Sequence, residues 1–199
     1  AKVLPDQTVL FCGKPVKKEE EMILLAFHKP TGIVCTAEKR EKNNVVDYIN
    51  YPKRIYPIGR LDKDSEGLIL LANDGDLINA MMRGANRHEK EYIVKTDREI
   101  TPDFLEKMAK GIYLKDLDIT TRECEIEQIG KFTFRIVLTQ GVNRQIRRMC
   151  EACGYRVKAL KRIRIMNILL GDLKPGKWRE VTGEELEQLQ RDTGMLNRN

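Results

Sequence analysis

The sequence has little of what marks secreted, membrane or disulfide-stabilised proteins. Its 199 residues contain five cysteines, an odd number that does not fit a disulfide framework. No apolar run approaches the ~18 residues that a membrane span requires. The first 20 residues also lack the basic and then apolar segments of a secretory signal. We therefore expect a soluble globular protein of the reducing cytoplasm.

Motifs for several kinds of chemistry are also missing. The chain holds two histidines and no G-x-S-x-G nucleophile turn. Gly141–Arg144 precedes a helix but lacks the glycines and the Lys-Ser/Thr pair of a phosphate-binding loop. Cys150 and Cys153 have the spacing of metal ligands, yet the remaining cysteines and the histidines are scattered. Because zinc needs about four convergent ligands, we interpret both cysteines as small buried apolar residues, and we expect neither metal nor cofactor.

Positive charge is concentrated in one part of the chain. The net charge is +6, but residues 131–179 hold 13 Lys or Arg against two acids, Glu151 and Asp172, for a local net charge of +11. Such segregation is typical of proteins that bind a polyanion, because each neutralised phosphate releases condensed counterions. We therefore expect a nucleic acid partner.

Apolar periodicity predicts strands and helices in mixed order. Buried or alternating runs indicate strands at 22–27, 67–72, 91–96, 119–129 and 132–139. Helices are expected at 45–49 after Asn44, after Asp74 or Asp76, at 102–110, at 143–153, and after a capping box at Thr182–Glu185. The absence of regular strand–helix alternation indicates an α+β fold, with a mostly antiparallel mixed sheet and flanking helices.

The helix expected at 143–153 has two distinct faces. An apolar stripe recurs at i, i+3, i+4 and i+7 and should pack on the core: Ile146, Met149, Cys150 and Cys153. The adjoining face presents three guanidinium groups close together, those of Arg144, Arg147 and Arg148. One face anchors the helix while the other offers positive charge.

Three carboxylates follow one another at i, i+2 and i+4 before an apolar strand: Asp62, Asp64 and Glu66. This spacing fits a divalent metal cluster, a nucleophile with helpers, or a solvated loop. Solvation alone explains Asp62 less well, because an ionised carboxylate at the entrance of a buried strand must be paired to persist. An arginine within ~4–6 Å would keep Asp62 ionised and available as a nucleophile or base.

Four segments of the chain resemble the motifs of one enzyme family. Gly59–Leu68 (GRLDKDSEGL) is similar to the signature of RNA pseudouridine synthases. Three further segments resemble those of the ribosomal RNA branch in the same order: Lys29–Gly32, Lys90–Tyr92 and Asn143–Met149. The resemblance runs from about Met22 to Val181 and points to the S4-domain-containing branch, most closely to the large-subunit pseudouridine synthase F and B group.

The resemblance implies roles for individual residues. Asp62 matches the nucleophile, Tyr92 the tyrosine that stacks on the target base, and Arg147 the arginine that pairs with the aspartate. Arg60 matches a residue that takes part in flipping the uridine out of its stack. Asp64 and Glu66 match no such role and are expected to be structural or to solvate the loop. The residues expected to contact RNA are Arg60, Lys63, Asn143, Arg144, Gln145, Arg148, Lys161, Arg162 and Arg164.

The resemblance also implies the domain organisation and the reaction. A two-lobed catalytic domain with a central cleft is expected at 22–199, while residues 1–21 resemble the end of an S4-type RNA-binding domain. The reaction is the isomerisation of a uridine in ribosomal RNA, expected to be 23S RNA, either naked or in an assembly intermediate. It requires neither metal nor cofactor, and we expect a monomer.

Two other functions fit parts of the sequence. A non-catalytic ribosomal RNA-binding or ribosome-assembly factor would use the same basic segment, and Asp62→Asn would then leave every activity intact. A metal-dependent nuclease would use Asp62, Asp64 and Glu66, and its activity would depend on Mg²⁺.

Overall fold

The structure is a computed structural model that describes residues 9–11, 14–16 and 21–195. The other positions of the segment 1–21, expected to be a tail and linker, lie outside the described residues. No helix in the described ranges is long and apolar enough to cross a membrane.

The described chain forms thirteen strands and five helices. The strands are β1 (Val9–Phe11), β2 (Lys14–Val16), β3 (Leu24–Lys29), β4 (Tyr56–Ile58), β5 (Glu66–Ala72), β6 (Lys90–Thr96), β7 (Tyr113–Leu114), β8 (Ile119–Thr120), β9 (Glu125–Gly130), β10 (Thr133–Leu138), β11 (Val157–Ile165), β12 (Ile168–Leu169) and β13 (Trp178–Glu180). The helices are α1 (Val45–Ile49), α2 (Gly75–Arg83), α3 (Pro102–Lys110), α4 (Gln145–Ala152) and α5 (Gly183–Asp192).

Nine of these strands form one mixed sheet. Its order is β13-β3-β5-β11-β6-β10-β9, with β4 also paired to β5 and β12 to β11. Strands β5 and β11 run parallel, in the register Lys161↔Glu66 and Arg162↔Gly67. The other pairs in this sheet are antiparallel, including the β9–β10 hairpin. The predicted α+β fold with a mostly antiparallel mixed sheet is confirmed.

Two hydrophobic cores lie on either side of β11. The first packs β3 and β5 against α2 and α5, and includes Leu70 and Leu77. The second packs β6 and β10 against α3 and α4, and includes Phe134 and Met149. The apolar stripe predicted for α4 is therefore observed, and it anchors this helix to the second core. Because β11 contributes side chains to both cores, the two halves of the molecule meet along this strand.

Gly67 permits the parallel pairing of β5 with β11. Its φ of +118° lies in the region that favours glycine, and a Cβ at this position would collide with the backbone of Arg162. A larger residue would therefore push β5 and β11 apart at the position where the two halves of the sheet are joined.

The side-chain caps at the starts of three helices agree with the sequence, and the cap expected for a fourth helix does not form. The side chains of Asn44, Asp74 and Thr101 accept hydrogen bonds from backbone amides three residues later, at 2.8, 2.9 and 3.1 Å. The capping box expected at the start of α5 is wrong. Within the described residues Thr182 makes no side-chain cap bond, and Glu185 instead pairs with the Arg179 guanidinium at 2.7 Å.

The alternating run at 119–129 is not the single strand that the sequence predicts. It divides into β8, which pairs with β7, and β9, which joins the main sheet. Between them Thr121 is buried and bonded to Ile112, whose amide donates to the Thr121 hydroxyl at 2.8 Å. This long-range contact interrupts the run without changing its apolar pattern.

The described cysteines are free thiols in apolar surroundings. Cys150 is fully buried in the second core, and burial raises its pKa to about 12. Burial likewise raises the pKa of Cys124 to about 11. Thiols of this kind stay protonated at neutral pH and are poor nucleophiles and metal ligands, which supports their interpretation as apolar residues. Cys12 lies outside the described residues.

Candidate active site

A cleft of about 380 Å³ opens between the two cores, beside the start of β5. Its walls come from both halves of the sheet: the β4–β5 connection, the end of α2, strands β6 and β11, and the segment from β10 into α4. Many of the residues expected at the active site line it, namely Arg60, Asp62, Tyr92, Asn143, Arg144, Gln145, Arg147 and Arg162. The central cleft implied by the resemblance is therefore present.

Asp62 lies in a tight turn directly before β5. The amide of Ser65 donates to the Asp62 carbonyl at 3.0 Å, which closes the turn, and the preceding residue, Leu61, is buried in the core. The Asp62 side chain is 36% exposed, and it lines both the cleft and an adjoining open groove. A fixed backbone thus presents this carboxylate to any ligand in the cleft.

A buried lysine holds the backbone on the carboxyl side of Asp62. Lys29 is fully buried, and its Nζ donates to the carbonyls of Pro30 and Ile33, both at 2.9 Å, and of Lys63 at 3.4 Å. Burial lowers the pKa of Lys29, and nearby negative groups that include Asp62 act in the opposite direction. Lys29 belongs to the motif segment Lys29–Gly32, and in the structure it holds the Asp62 loop in place.

A buried arginine holds the backbone on the amino side of Asp62. Arg162 is 4% exposed, and it donates to the carbonyls of Leu68 at 2.8 Å and Arg60 at 3.3 Å. A buried guanidinium that is hydrogen-bonded to backbone carbonyls has little surface with which to contact RNA. Arg162 is part of the support under the cleft that it lines, and its expected contact with RNA stays a prediction.

Arg144, rather than Arg147, makes the ion pair with Asp62. The distance from Arg144 Nη1 to Asp62 Oδ2 is 3.5 Å. Arg147 instead donates through Nη2 to the Asp64 carbonyl and to the Ser65 hydroxyl, both at 3.1 Å. The expected pairing of Arg147 with Asp62 is thus corrected. Helix α4 docks with its start towards Asp62, so Arg147, further along, reaches the turn behind the carboxylate.

Asp64 is an exposed loop residue that forms an ion pair with Arg144. Its two oxygens accept from Arg144 Nη1 and Nη2 at 3.0 and 2.9 Å, in a bidentate pair. The hydrogen bond from Arg144 lowers the pKa of Asp64, and the charge of Arg147 acts in the same direction. Asp64 therefore stays ionised at neutral pH and joins the Asp62 turn to the start of α4.

Tyr92 lines the same cleft from β6. It lies opposite Arg162 of β11, which in turn lies opposite Gly67 of β5. Adjacent strands are about 4.8 Å apart, so the Cα atoms of Tyr92 and Gly67 are roughly 10 Å apart. The ring also packs against the second core, which fixes its position. The sheet thus brings Tyr92 and Asp62, thirty residues apart in sequence, to one cavity.

The other residues expected to contact RNA divide into two groups. Arg60, Lys63 and Asn143 are exposed in or beside the cleft. Arg148 is partly exposed and donates to the Asn143 carbonyl at 2.9 Å. These side chains remain accessible to a ligand.

The second group is used within the protein or lies away from the cleft lining. Gln145 is buried and donates to Gln140 Oε1 at 3.2 Å. Arg164 donates to Glu91 at 3.0 Å and to Glu89 at 3.1 Å, so its expected RNA contact is weakened by internal pairing. Lys161 is partly exposed on β11.

Lys90 is a cleft residue to which the sequence assigned no role. Its Nζ donates to the Ala85 carbonyl at 3.1 Å, and burial, with a smaller contribution from Arg162, lowers its pKa to about 8. The sequence could have indicated this location, because Lys90 lies two residues before Tyr92 and alternate residues of a strand share a face. Lys90 thus places a titratable cation in the same cleft as Tyr92, the residue expected to stack on the base.

The three acids of the Asp62 loop do not converge. Asp64 pairs with Arg144, and Glu66 contacts His28 Nε2 at 3.0 Å. The other ring nitrogen of His28 lies 2.7 Å from the Leu173 carbonyl oxygen, so the Glu66 side chain is turned towards His28 and away from Asp62 and Asp64. Across residues 21–195, no group of three or more His, Cys, Asp or Glu side chains is arranged to hold a metal ion.

Comparison with known proteins identifies the family. A family model described as RNA pseudouridylate synthase matches residues 23–152, which is more than half of the chain. The chain belongs to the RNA pseudouridylate synthase family. The matched range contains Asp62, Tyr92, Arg144 and Arg147 and ends before β11.

Individual pseudouridine synthases are similar over most of the chain. It is 48% identical over 189 residues to the dual-specificity RNA pseudouridine synthase RluF of Escherichia coli (strain K12), covering 94% of this chain and 64% of that protein. It is 34% identical over 183 residues to the ribosomal large subunit pseudouridine synthase B of Bacillus subtilis (strain 168), covering 89% and 75%. The chain therefore spans less than two thirds of the length of RluF.

The fold of the pseudouridylate synthases is also matched. A solved structure described as the crystal structure of pseudouridylate synthase has a TM-score of 0.78 with 25% sequence identity, covering 95% of this chain and 83% of that one. The mixed sheet and its flanking helices are thus the architecture of the family.

Proposed function

We propose that this pseudouridylate synthase family member converts a specific uridine of ribosomal RNA to pseudouridine, with Asp62 as the nucleophile. The observation that carries the proposal is that Asp62 and Tyr92 line one cleft in a chain of this family. The reaction detaches the base from the ribose and then reattaches it. It therefore requires a positioned carboxylate beside the ribose and an aromatic surface that retains the free base.

The chemistry begins with an extruded nucleotide in the cleft. An oxygen of Asp62 bonds to C1′ of the ribose as the N1–C1′ bond breaks. The freed uracil turns in place, and C5 bonds to C1′ and displaces the carboxylate. The C5 proton leaves to water and N1 gains a proton, so the product has the composition of the substrate and no electrons are gained or lost.

The surroundings of Asp62 support a nucleophilic role. Within the described residues its carboxylate accepts no hydrogen bond and has one ion-pair contact, to Arg144 at 3.5 Å. The oxygens of a carboxylate paired this loosely stay available for attack. The rigid turn closed by Ser65 and braced by Lys29 keeps the attacking atom in place.

The remaining residues are assigned by their accessibility. Tyr92 is the surface on which the uracil stacks, and Arg60 helps to extrude the nucleotide. Arg147 acts as a positioning residue that holds the Asp64–Ser65 backbone. The RNA backbone is contacted by the exposed or partly exposed members of the expected set: Lys63, Asn143, Arg144, Arg148 and Lys161. Gln145 and Arg164 contribute through the packing of the cleft walls.

The substrate is assigned to the large ribosomal subunit. The relative from Bacillus subtilis is named for that subunit, which supports 23S RNA, naked or in an assembly intermediate. The other relative is named dual-specificity, so a second class of RNA should be assayed in parallel. We further assign a monomeric, cytoplasmic protein in which 22–199 is the catalytic domain and 1–21 resembles the end of an S4-type domain.

The test is release of tritium from C5-labelled uridine in a large-subunit rRNA transcript, with EDTA present. The parent protein should release tritium, and Asp62→Asn should release none, because C5 exchanges its proton only when the isomerisation proceeds. Asp76→Asn, which neutralises an exposed carboxylate at the start of α2, serves as the matched control and should behave as the parent does.

The two alternative functions give different results in this assay. A ribosomal RNA-binding or assembly factor would bind the transcript and release no tritium in any form of the protein. A metal-dependent nuclease would cut the transcript with Mg²⁺ and stop with EDTA. Either result would overturn the proposal.

A further inference from the structure

Asp64 shares one arginine with Asp62. Arg144 makes its two short hydrogen bonds, at 3.0 and 2.9 Å, to Asp64, and its contact to Asp62 is longer, at 3.5 Å. The backbone of Arg144 has a φ of 51°, in the left-handed region that is uncommon for residues with a side chain. The shorter contacts of the Arg144 guanidinium are therefore made to a carboxylate other than that of the candidate nucleophile.

Competition between the two carboxylates determines how strongly Arg144 pairs with Asp62. If Asp64 had no charge, Asp62 would be the nearest anion for this guanidinium, and the favoured geometry would be a bidentate pair with Asp62. Both oxygens of Asp62 would then accept hydrogen bonds. A nucleophile in that state is stabilised before the reaction, and the barrier to attack is higher.

We propose that Asp64 is a positioning residue that retains Arg144 in a bidentate pair and so leaves the Asp62 carboxylate available to attack C1′. The inference rests on the proposed function, since it assigns Asp64 a part in the same reaction. Asp64 acts through Arg144 and does not itself contact the reacting atoms.

A second contact to Asp64 fits this role. Arg147 Nη2 lies 3.6 Å from Asp64 Oδ1 and donates to the Asp64 carbonyl at 3.1 Å. Asp64 therefore faces cations from two positions at the start of α4 and fixes the docking of that end of the helix beside the nucleophile. Lys63, the neighbouring cation, is exposed and forms no ion pair among residues 21–195.

The central variant is Asp64→Asn, studied in single-turnover reactions and in RNA binding. The rate of pseudouridine formation should fall roughly tenfold, because a charge-assisted hydrogen-bond pair that held Arg144 is lost. The affinity for the transcript should stay the same or increase, because a negative charge is removed beside a surface that binds a polyanion. A residue with only a structural role would lose rate and affinity together.

Three further variants isolate the pathway. Asp64→Glu keeps the charge and should retain a rate within about threefold of the parent. In an Arg144→Gln background, Asp64→Asn should cause no further loss, because its effect is exerted through that arginine. Asp103→Asn is the matched control, since Asp103 pairs with Lys107 at 3.1 Å on α3 and does not line the cleft, and it should change neither rate nor affinity.

A measurement independent of activity separates this inference from the proposed function. The side-chain ¹⁵N signal of Arg144, assigned by its loss in Arg144→Gln, should shift more in Asp64→Asn than in Asp62→Asn, because the two contacts to Asp64 are the shorter ones. An unchanged signal in Asp64→Asn would overturn the inference whether or not the protein is active. So would an active parent whose Asp64→Asn rate is unaltered, or additive losses in the double variant. A parent that forms no pseudouridine would instead overturn the proposed function.

Discussion

Arginines at the start of α4 and on β11 flank the same cleft but use their charge differently. The side chain of Arg144 is 40% exposed, and Arg148 is partly exposed. On β11, Arg162 is 4% exposed and bonded to backbone carbonyls, and Arg164 is paired with two glutamates. RNA contacts were expected from both elements, but on β11 the two arginines are bonded to acceptors within the protein and Lys161 is only partly exposed.

The difference follows from where each element lies in the sheet. Strand β11 has neighbours on both edges and contributes to both cores, so its cations must find acceptors inside the protein. Helix α4 packs one stripe on the second core and leaves the adjoining face exposed. A count of positive residues cannot separate charges that stabilise the fold from charges that bind RNA.

The largest expected effect is on β11. Arg162→Gln should lower the free energy of unfolding by about 3 kcal/mol, since hydrogen bonds to a charged group contribute about 1.5–3 kcal/mol each and two are lost. Urea denaturation followed by circular dichroism measures this. A variant of unchanged stability that binds RNA more weakly would reverse the comparison between the two elements.

The next effect is on α4. Arg144→Gln should weaken binding of the rRNA transcript by roughly fivefold to tenfold and reduce the salt dependence of binding by about one charge. Its stability should change by less than about 1 kcal/mol, because the ion pairs of Arg144 are partly exposed to solvent. Binding titrations over a series of salt concentrations provide both values. An undiminished salt slope would exclude a phosphate contact by this residue.

Arg164→Gln should lower stability without weakening RNA binding. Its ion pairs with Glu89 and Glu91 are partly exposed, so we expect a loss of about 1 kcal/mol in unfolding free energy and no change in RNA affinity. Denaturation and binding titrations on one preparation test this. If the variant bound RNA more weakly and kept the stability of the parent, Arg164 would be a residue that contacts RNA.

The smallest effect concerns the cleft cation Lys90, whose pKa is lowered by burial to about 8. As the pH rises through about 8 the folded protein loses this charge, so RNA affinity should fall by about threefold between about pH 7 and pH 9. The unfolded chain keeps the proton to higher pH, so the free energy of unfolding should rise over the same interval. Lys90→Met should show weaker pH dependence in both measurements, and an unaltered profile would contradict this assignment.

Local structure was largely predictable from the sequence. The starts of α1, α2 and α3 depend on side chains that cap their own helix, and β3, β5 and β6 follow continuous or alternating apolar runs. The start of α5 departed from expectation because Glu185 pairs with Arg179. That contact depends on tertiary structure, and local patterns do not encode it.

The site was predictable in its residue types but not in its pairings. The motifs predicted that Asp62, Tyr92 and an arginine of α4 would meet, and all line one cleft. Arg144 is the residue before α4 and Arg147 lies in its first turn, so the docking of this end of the helix decides which of them reaches Asp62. The parallel pairing of β5 with β11, which positions Tyr92, joins segments about ninety residues apart and has no local signal.

The central claim, that the carboxylate of Asp62 performs the chemistry while the surrounding cations bind and position RNA, is tested most directly with Asp62→Asn. Binding and pseudouridine formation should be measured in the same reaction on one rRNA transcript. We expect parental affinity with no detectable pseudouridine at any uridine. Pseudouridine formed by Asp62→Asn at a rate comparable to the parent would contradict the claim.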